Sequence, residues 1–260
     1  MAPRSIWNGA VAFGAVNVPI KVFGAFDAKG ISFRELHVKD GSEVGHRLLG
    51  PDGDEIPRDR VVKGYEVSDG EYVVLTNDEI KAAGQPARKA IELSDFVPGE
   101  QIDPVYYGKP YHLAPQDGAE EAYALLVKAL EKSERVGIGR VSLRQREQLV
   151  SVRPVDGVLR MQVMRYEDEL VKAKTLDVDE PSKAPAKREV EMAGMLVETL
   201  ASDFKPDKYE DTYRERVLEV VKAKEQGKEI EMPEPEPDTD ADDLMAALEA
   251  SLKASKGGKS

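Results

Sequence analysis

The chain contains no cysteine. That excludes a disulfide scaffold, a thiolate zinc site and a cysteine nucleophile. It has three histidines, His37, His46 and His112, too scattered along the sequence to suggest a metal cluster. No apolar run approaches the roughly 18–20 residues that a membrane helix needs. The apolar N-terminus is broken by Asn8, Asn17 and Pro19 and leads to no small-residue cleavage site, so it does not read as a signal peptide. A soluble, cytoplasmic chain without membrane contact is expected. Catalytic signatures are missing too: there is no GxSxG, no phosphate loop followed by Lys-Ser/Thr and no HExxH. Gly9 and Gly14 are not spaced as GxGxxG and read as tight packing in a strand or turn. Asp78, Glu79, Asp95, Glu100 and Asp103 follow no ligand spacing and read as solvated carboxylates. No catalytic residue, metal or cofactor is expected.

What is present is a 260-residue chain, 41% hydrophobic, long enough for one or two domains with a buried core. Its net charge of −12 argues at first against nucleic acid as a partner. The charge is uneven, however. Residues 1–165 carry a net −2 and residues 166–260 a net −10, while residues 128–165 hold nine basic and four acidic residues. The acidity of the last third therefore says little about the first two.

Along the chain, residues 6–26 read as strands around a turn. Residues 27–65 are punctuated by Lys29-Gly30, Asp40-Gly41, Pro51-Asp52-Gly53-Asp54 and Pro57, and read as an elongated hairpin excursion. Within it, Ile31–Val38 alternates like a half-exposed strand. Glu71–Thr76 reads as a strand, Asn77–Ala83 as a helix capped by Asn77, and residues 89–97 as a strand. Residues 104–115 read as an aromatic hairpin turning near Gly108. A helix from Gly118 to about Lys132 is expected, with Asp117 and Glu120 at capping spacing and Ala122, Leu125, Leu126, Ala129 and Leu130 as its apolar stripe. Strands at 138–144, 149–153 and 158–166 follow. This is β-rich structure with inserted helices, not β-α-β alternation.

After Asp168, Pro181 and Pro185 mark a linker, and two amphipathic helices follow. One carries Met192, Met195, Leu196, Thr199 and Leu200 on a face. The other, capped by Asp207 and Glu210, carries Tyr209, Tyr213, Val217, Val220 and Val221. Residues 229–243 hold eight acidic residues, three prolines and no basic residue, and are expected to stay solvated and disordered. Beyond them Leu244, Met245, Leu248 and Leu252 line one face of a short terminal helix. Such a helix is too short to hold alone and is built like a docking peptide.

A strand through Ile138–Arg146 would put Arg140, Ser142, Arg144 and Arg146 on one side and Val141 and Leu143 on the other. Arg and Ser hold phosphate oxygens without reading bases. A plain solvent-facing strand accounts for the same pattern, and both readings stand at this point. The excursion's seven cations are offset by seven acidic residues between Glu35 and Asp59.

Several blocks together resemble bacterial Ku proteins: the opening from Ser5 to Lys21, Lys63-Gly64-Tyr65-Glu66, residues 95–115, and Ala122 to Pro154. They run in order through residues 4–230, and the final residues resemble the C-terminal tail of those proteins. The resemblance implies an α+β fold: a β-barrel core over residues 1–170, with a bridge excursion at about 27–65 that forms a DNA-encircling ring in the dimer. A linker at 171–188, a helical C-terminal arm at 189–228 and a disordered acidic tail with a docking helix at 229–260 would follow.

The implied function is non-enzymatic. A homodimer would encircle double-stranded DNA ends and recruit an ATP-dependent DNA ligase (ligase D) in non-homologous end joining, in the bacterial cytoplasm at the nucleoid. Arg34, Lys39, Arg47, Arg60 and Lys63 of the bridge and Arg140, Arg144 and Arg146 of the barrel are the expected phosphate contacts. Leu244, Met245, Leu248 and Leu252 are the expected ligase-docking face. Met192, Leu196, Leu200, Tyr209 and Tyr213 would pack the arm. The bridge departs from the family pattern: it has few basic residues and no cysteine, so it offers no metal site and puts its phosphate contacts in doubt. Two other classes stay open: a partner-binding scaffold with weak DNA contact, and lyase chemistry through a lysine Schiff base, for which no desolvated lysine is visible.

Overall fold

Stretches in which every second residue is apolar run through the first two thirds of the chain, and most become strands that turn their apolar side to a common interior. A computed structural model describes residues 4–27, 29–83, 89–143, 146–176, 178 and 184–228. In chain order the elements are β1 (Trp7–Phe13), β2 (Val16–Gly24), β3 (Lys63–Ser68), β4 (Glu71–Leu75), α1 (Asn77–Ala83), β5 (Ala90–Pro98), β6 (Tyr107–Pro115), α2 (Glu120–Ser133), β7 (Arg135–Leu143), β8 (Arg146–Val155), β9 (Val158–Met164), α3 (Lys187–Leu200) and α4 (Thr212–Glu225). The chain divides into two units, Met1–Thr175 and Leu176–Ser260.

In the first unit seven strands close into a barrel in the order β1-β2-β6-β9-β8-β7-β5. Neighbours are antiparallel except β1 and β5, whose parallel pairing from Ala10↔Ala90 to Ala12↔Glu92 completes the circle. Inside lie Val11, Val18, Ile20, Val22, Ile91, Leu113, Val141, Val150, Val152, Leu159 and Met161, all fully buried. A barrel of this size is filled by such side chains and leaves no channel. The β8–β9 hairpin turns on Asp156-Gly157, both at positive φ (52° and 77°), the conformation a two-residue hairpin turn requires. On β7, Gly139 lies so close to β5 that a Cβ there would sit 2.2 Å from the Glu92 carbonyl oxygen. Only glycine allows the two strands to meet at that point.

Helix α2 packs on the barrel through Tyr123, Leu126, Val127 and Leu130, one stripe at helical spacing. The Tyr123 hydroxyl donates to the Leu113 carbonyl (2.6 Å) and accepts from the Leu159 N–H (2.7 Å). Leu113 and Leu159 are cross-strand partners on β6 and β9, so one buried hydroxyl ties the helix to two strands.

The excursion between β2 and β3 has little regular structure. It contains two tight turns, closed by single bridges at Leu36↔Glu43 and Leu49↔Glu55. The expected strand Ile31–Val38 does not form: its apolar residues find no partner strand, and Val38 is 96% exposed. Strands β3 and β4 pair only with each other.

The second unit holds α3 and α4. The Glu189 carboxylate accepts from the Ala186 N–H at the start of α3 (2.7 Å), and Asp211 accepts from the Arg214 N–H at the start of α4 (3.0 Å). Met192 is buried, Leu196 half-buried, and Leu200, Tyr209 and Tyr213 are exposed.

Several local expectations are corrected. Thr76, not Asn77, caps α1: its hydroxyl accepts from the Glu79 N–H (3.2 Å), and the Glu79 carboxylate accepts from the Thr76 N–H (2.8 Å). That reciprocal pairing, led by the Thr76 N–H, holds the Glu79 carboxyl below its ordinary pKa. Asp117 does not cap α2, because it pairs with Lys21 across 2.8 Å. On α2 the buried stripe starts at Tyr123, while Leu125 is 71% exposed. Residues 107–115 form one strand with an irregularity after Tyr107 rather than a hairpin. Helix α4 starts at Thr212, and Tyr209 precedes it, stacked on Phe204 with ring centroids 5.7 Å apart.

Replacing Tyr123 with Phe leaves a buried N–H and a buried carbonyl unpaired, and is expected to cost about 1–3 kcal/mol in urea unfolding. Burial, opposed by the Leu159 hydrogen bond, holds the Tyr123 hydroxyl above its ordinary value of 10.0. The unfolded chain therefore releases this proton first, so the contribution is intact below pH 10 and is lost as pH rises beyond it. The alkaline loss of stability should be smaller in Y123F than in the parent chain.

Candidate nucleic-acid interface

Because the barrel interior is filled with apolar side chains, any polar chemistry on these strands must lie on the outward parity. Across four strands the outward residues align in rows. One row runs from Phe23 on β2 through His112 on β6 and Arg160 on β9 to Arg153 on β8. The next runs Pro110, Gln162, Ser151 and Ile138 and continues to Asp95 on β5. Rows two residues apart along a strand lie about 6.6–6.8 Å from one another.

This patch has an electrostatic peculiarity. Among the described residues, the buried side-chain polar atoms that have no hydrogen-bond partner are His112 Nδ1, Ser151 Oγ, Arg153 Nε, Arg160 Nε and Gln162 Oε1. All five belong to these two rows. Ser151 is 1% exposed although it points outward. The Arg153 guanidinium lies 5.9 Å from the centre of the Tyr107 ring, a cation–π contact that stretches it along the strands. Neither Arg153 nor Arg160 makes an ion pair among the described residues. Two adjacent guanidinium groups, a hydroxyl and an amide lie together here, donors of the kind that suit anions, and the carboxylate in the two rows, Asp95, stands at the far end of the second.

Its surroundings fix the patch. Arg165 donates from one nitrogen to the Val105 (2.7 Å) and Tyr107 (2.8 Å) carbonyls and so pins the turn at Pro104–Tyr106 that leads into β6. Asp103 accepts from the Val105 N–H at 2.8 Å in the same turn. Lys109 lies over the rings of Phe26 (5.5 Å) and Tyr111 (5.7 Å).

The residues expected from sequence fall elsewhere. Arg140 and Ser142 lie on the outward side of β7, opposite buried Val141 and Leu143 as anticipated, and Arg140 is 3.8 Å from Glu147. The single strand through Arg146 does not exist. β7 ends at Leu143 and Arg146 opens β8, paired with Leu143, so it leaves the Arg140 row. Arg144 lies outside the described residues, as do Leu244, Met245, Leu248 and Leu252. In the excursion, Arg34 pairs with Glu43, and Arg47 with Glu55 at 2.7 Å. Lys39, Arg60 and Lys63 are exposed, with no ion pair among the described residues.

Sequence reasoning places the turn at Asp156-Gly157 but misses the central residues Arg153 and Arg160, because it does not count the pairing outward from that turn; read as a two-residue hairpin, it sets Arg153 opposite Arg160.

A family model described as "Ku70/Ku80 beta-barrel domain" matches residues 12–192. A "Non-homologous end joining protein Ku" of Anaeromyxobacter sp. (strain K) is 40% identical over 97% of this chain and 86% of its own length. Proteins of the same name from Koribacter versatilis (39% identical; 97% of this chain, 87% of the relative) and Mycolicibacterium smegmatis (38%; 98% and 84%) are similar in extent.

The Ser151 hydroxyl has no hydrogen-bond partner among the described residues, so Ser151→Ala is expected to leave the melting temperature unchanged or raise it slightly. A clear drop on calorimetry would show that the hydroxyl is satisfied and that the patch is not held open.

Proposed function

The chain belongs to the Ku family, and from that premise we propose that it binds the ends of double-stranded DNA as a homodimeric ring in non-homologous end joining. The observation that carries this reading is the outward patch of Arg153 and Arg160 with Ser151, Gln162 and His112. Its donors suit phosphate oxygens, which every sequence presents alike. Binding through phosphates alone is sequence-independent and salt-dependent, as an end-binding ring requires. Arg140, Arg144 and Arg146 of the barrel and Lys39, Arg60 and Lys63 of the bridge extend the contact. Enclosure compensates for a chain of net −12, because a threaded ring leaves DNA only at an end.

Exposed apolar surface supports the homodimer. Strands β3 and β4 expose Tyr65, Val67, Tyr72, Val73 and Val74, and a two-stranded ribbon is marginal on its own. Leu200, Tyr209 and Tyr213 of the arm are exposed as well. A second copy covering these surfaces accounts for both. Leu244, Met245, Leu248 and Leu252 then serve as the docking face for an ATP-dependent ligase (ligase D), and the protein itself performs no chemistry. It works in the cytoplasm at the nucleoid.

The test of the ring compares binding to a linear duplex, the same duplex with both ends closed by hairpins carrying bulky protein caps, and a closed circle, all at one salt concentration. Binding to the open linear form alone is expected. Equal binding to all three would mean an open groove, and no binding to any would favour a scaffold that does not hold DNA. For the tail, Leu248→Asp is expected to abolish stimulation of the ligase while DNA binding is retained. Ligase stimulation that survives this change would remove the docking assignment.

A further inference from the structure

The excursion that would arch over the duplex is not a basic strap. Residues 31–55 contain three basic and six acidic residues, a net −3 with histidine neutral. Their placement is ordered. The first turn is closed by hydrogen bonds from His37 N–H to the Ser42 carbonyl (2.8 Å) and from Val44 N–H to the Glu35 carbonyl (3.0 Å). Across it Arg34 meets the Glu43 carboxylate, and His46 lies 3.4 Å from Glu35. Inside it Asp40 accepts from the Ser42 N–H (3.0 Å) and hydroxyl (2.8 Å) and lies 3.1 Å from His37 Nδ1. Those bonds, the Ser42 N–H first, hold the Asp40 carboxyl below its ordinary pKa. The second turn is closed from Ile56 N–H to the Leu48 carbonyl (2.8 Å) and from Gly50 N–H to the Asp54 carbonyl (2.8 Å). Across that turn Arg47 meets Glu55 at 2.7 Å. Both arginines of this segment thus have a carboxylate placed opposite by the backbone itself.

An arginine adds to DNA binding by neutralising a phosphate and releasing the counterion condensed there. One already neutralised by its own chain contributes nothing net. If it turned to a phosphate, the abandoned carboxylate would be left beside the same phosphate as a like charge. Arg153 and Arg160 face no such competitor among the described residues.

We propose, on the reading of this chain as a DNA-end ring, that phosphate binding resides on the barrel face. Residues 31–55 then form a self-neutralised strap that encloses the duplex without holding it, because Glu43 and Glu55 occupy Arg34 and Arg47. The carboxylates, not a shortage of arginine, keep the strap's grip weak.

The experiment measures the dependence of affinity for a linear duplex on salt in the full chain and three double variants. Arg34→Gln with Arg47→Gln is expected to leave the salt slope unchanged and to weaken binding only slightly, because it uncovers Glu43 and Glu55 without removing a phosphate contact. Arg153→Gln with Arg160→Gln is expected to weaken binding and lower the slope by about 2, roughly 1 for each phosphate no longer neutralised. Glu43→Gln with Glu55→Gln is expected to tighten binding and steepen the slope. That gain cannot come from misfolding. A loss in the Arg34/Arg47 variant as large as in the Arg153/Arg160 variant would overturn the proposal. So would an affinity indifferent to removal of the two carboxylates, since the strap would then lie too far from the duplex for them to matter. Failure of the parent chain to bind duplex at all would instead refute the DNA-binding reading beneath it.

Discussion

Closure of a seven-stranded barrel forces a choice on every strand residue: one parity goes to an interior too small for anything but side chains, the other faces out. In this chain the interior takes Val, Ile, Leu and Met almost without exception. Polar function is therefore confined to the outside, and on β6, β9 and β8 the outside is crowded enough that its polar groups are half-buried without being satisfied. A buried donor without a partner is costly to the free protein. Arg153 and Arg160 are only partly buried, so the ends of their guanidinium groups, rather than the covered Nε atoms, face outward where an anion can meet them.

The same constraint explains the distribution of charge. Of the outward barrel arginines, Arg140 lies 3.8 Å from Glu147, whereas Arg153 and Arg160 make no ion pair among the described residues. On the turn-rich excursion, the turns at 36–43 and 49–55 set Glu43 and Glu55 within reach of Arg34 and Arg47. The excursion's length and its exposed apolar residues suit enclosure and protein contact better than phosphate grip. The net −12 of the whole chain loses its force as an objection, since most of it lies beyond residue 165.

Much of this was legible in the sequence. Runs of β-branched and aromatic residues between turn residues located most barrel strands, and the character of the sequence changes after Asp168, a few residues before the boundary between the two units. Side-chain alternation made the Arg140/Ser142 face against Val141/Leu143 readable. What escaped depends on partners distant in sequence. Asp117 looked like a helix cap and is instead the counterion of Lys21, 96 residues away. Leu125 fitted the helix stripe, but the face is set by Tyr123, whose hydroxyl bonds the β6–β9 pair. Ile31–Val38 alternated like a strand and had nothing to pair with. Arg153 and Arg160 face each other across the Asp156-Gly157 hairpin, but His112 comes from β6, and no linear spacing joins it to them until the register is known.

The absence of cysteine permits a direct measurement. A single thiol introduced as Gln162→Cys sits between the two arginine-bearing strands, and one introduced as Leu125→Cys on the exposed side of α2 serves as control. The rate of maleimide labelling is followed with and without a short duplex, its ends either open or blocked. Protection of position 162 by the open duplex alone, with position 125 labelled at an unchanged rate, is the predicted result. Equal labelling at position 162 with saturating open duplex bound would contradict the account, because the DNA would then lie on some other face of the protein.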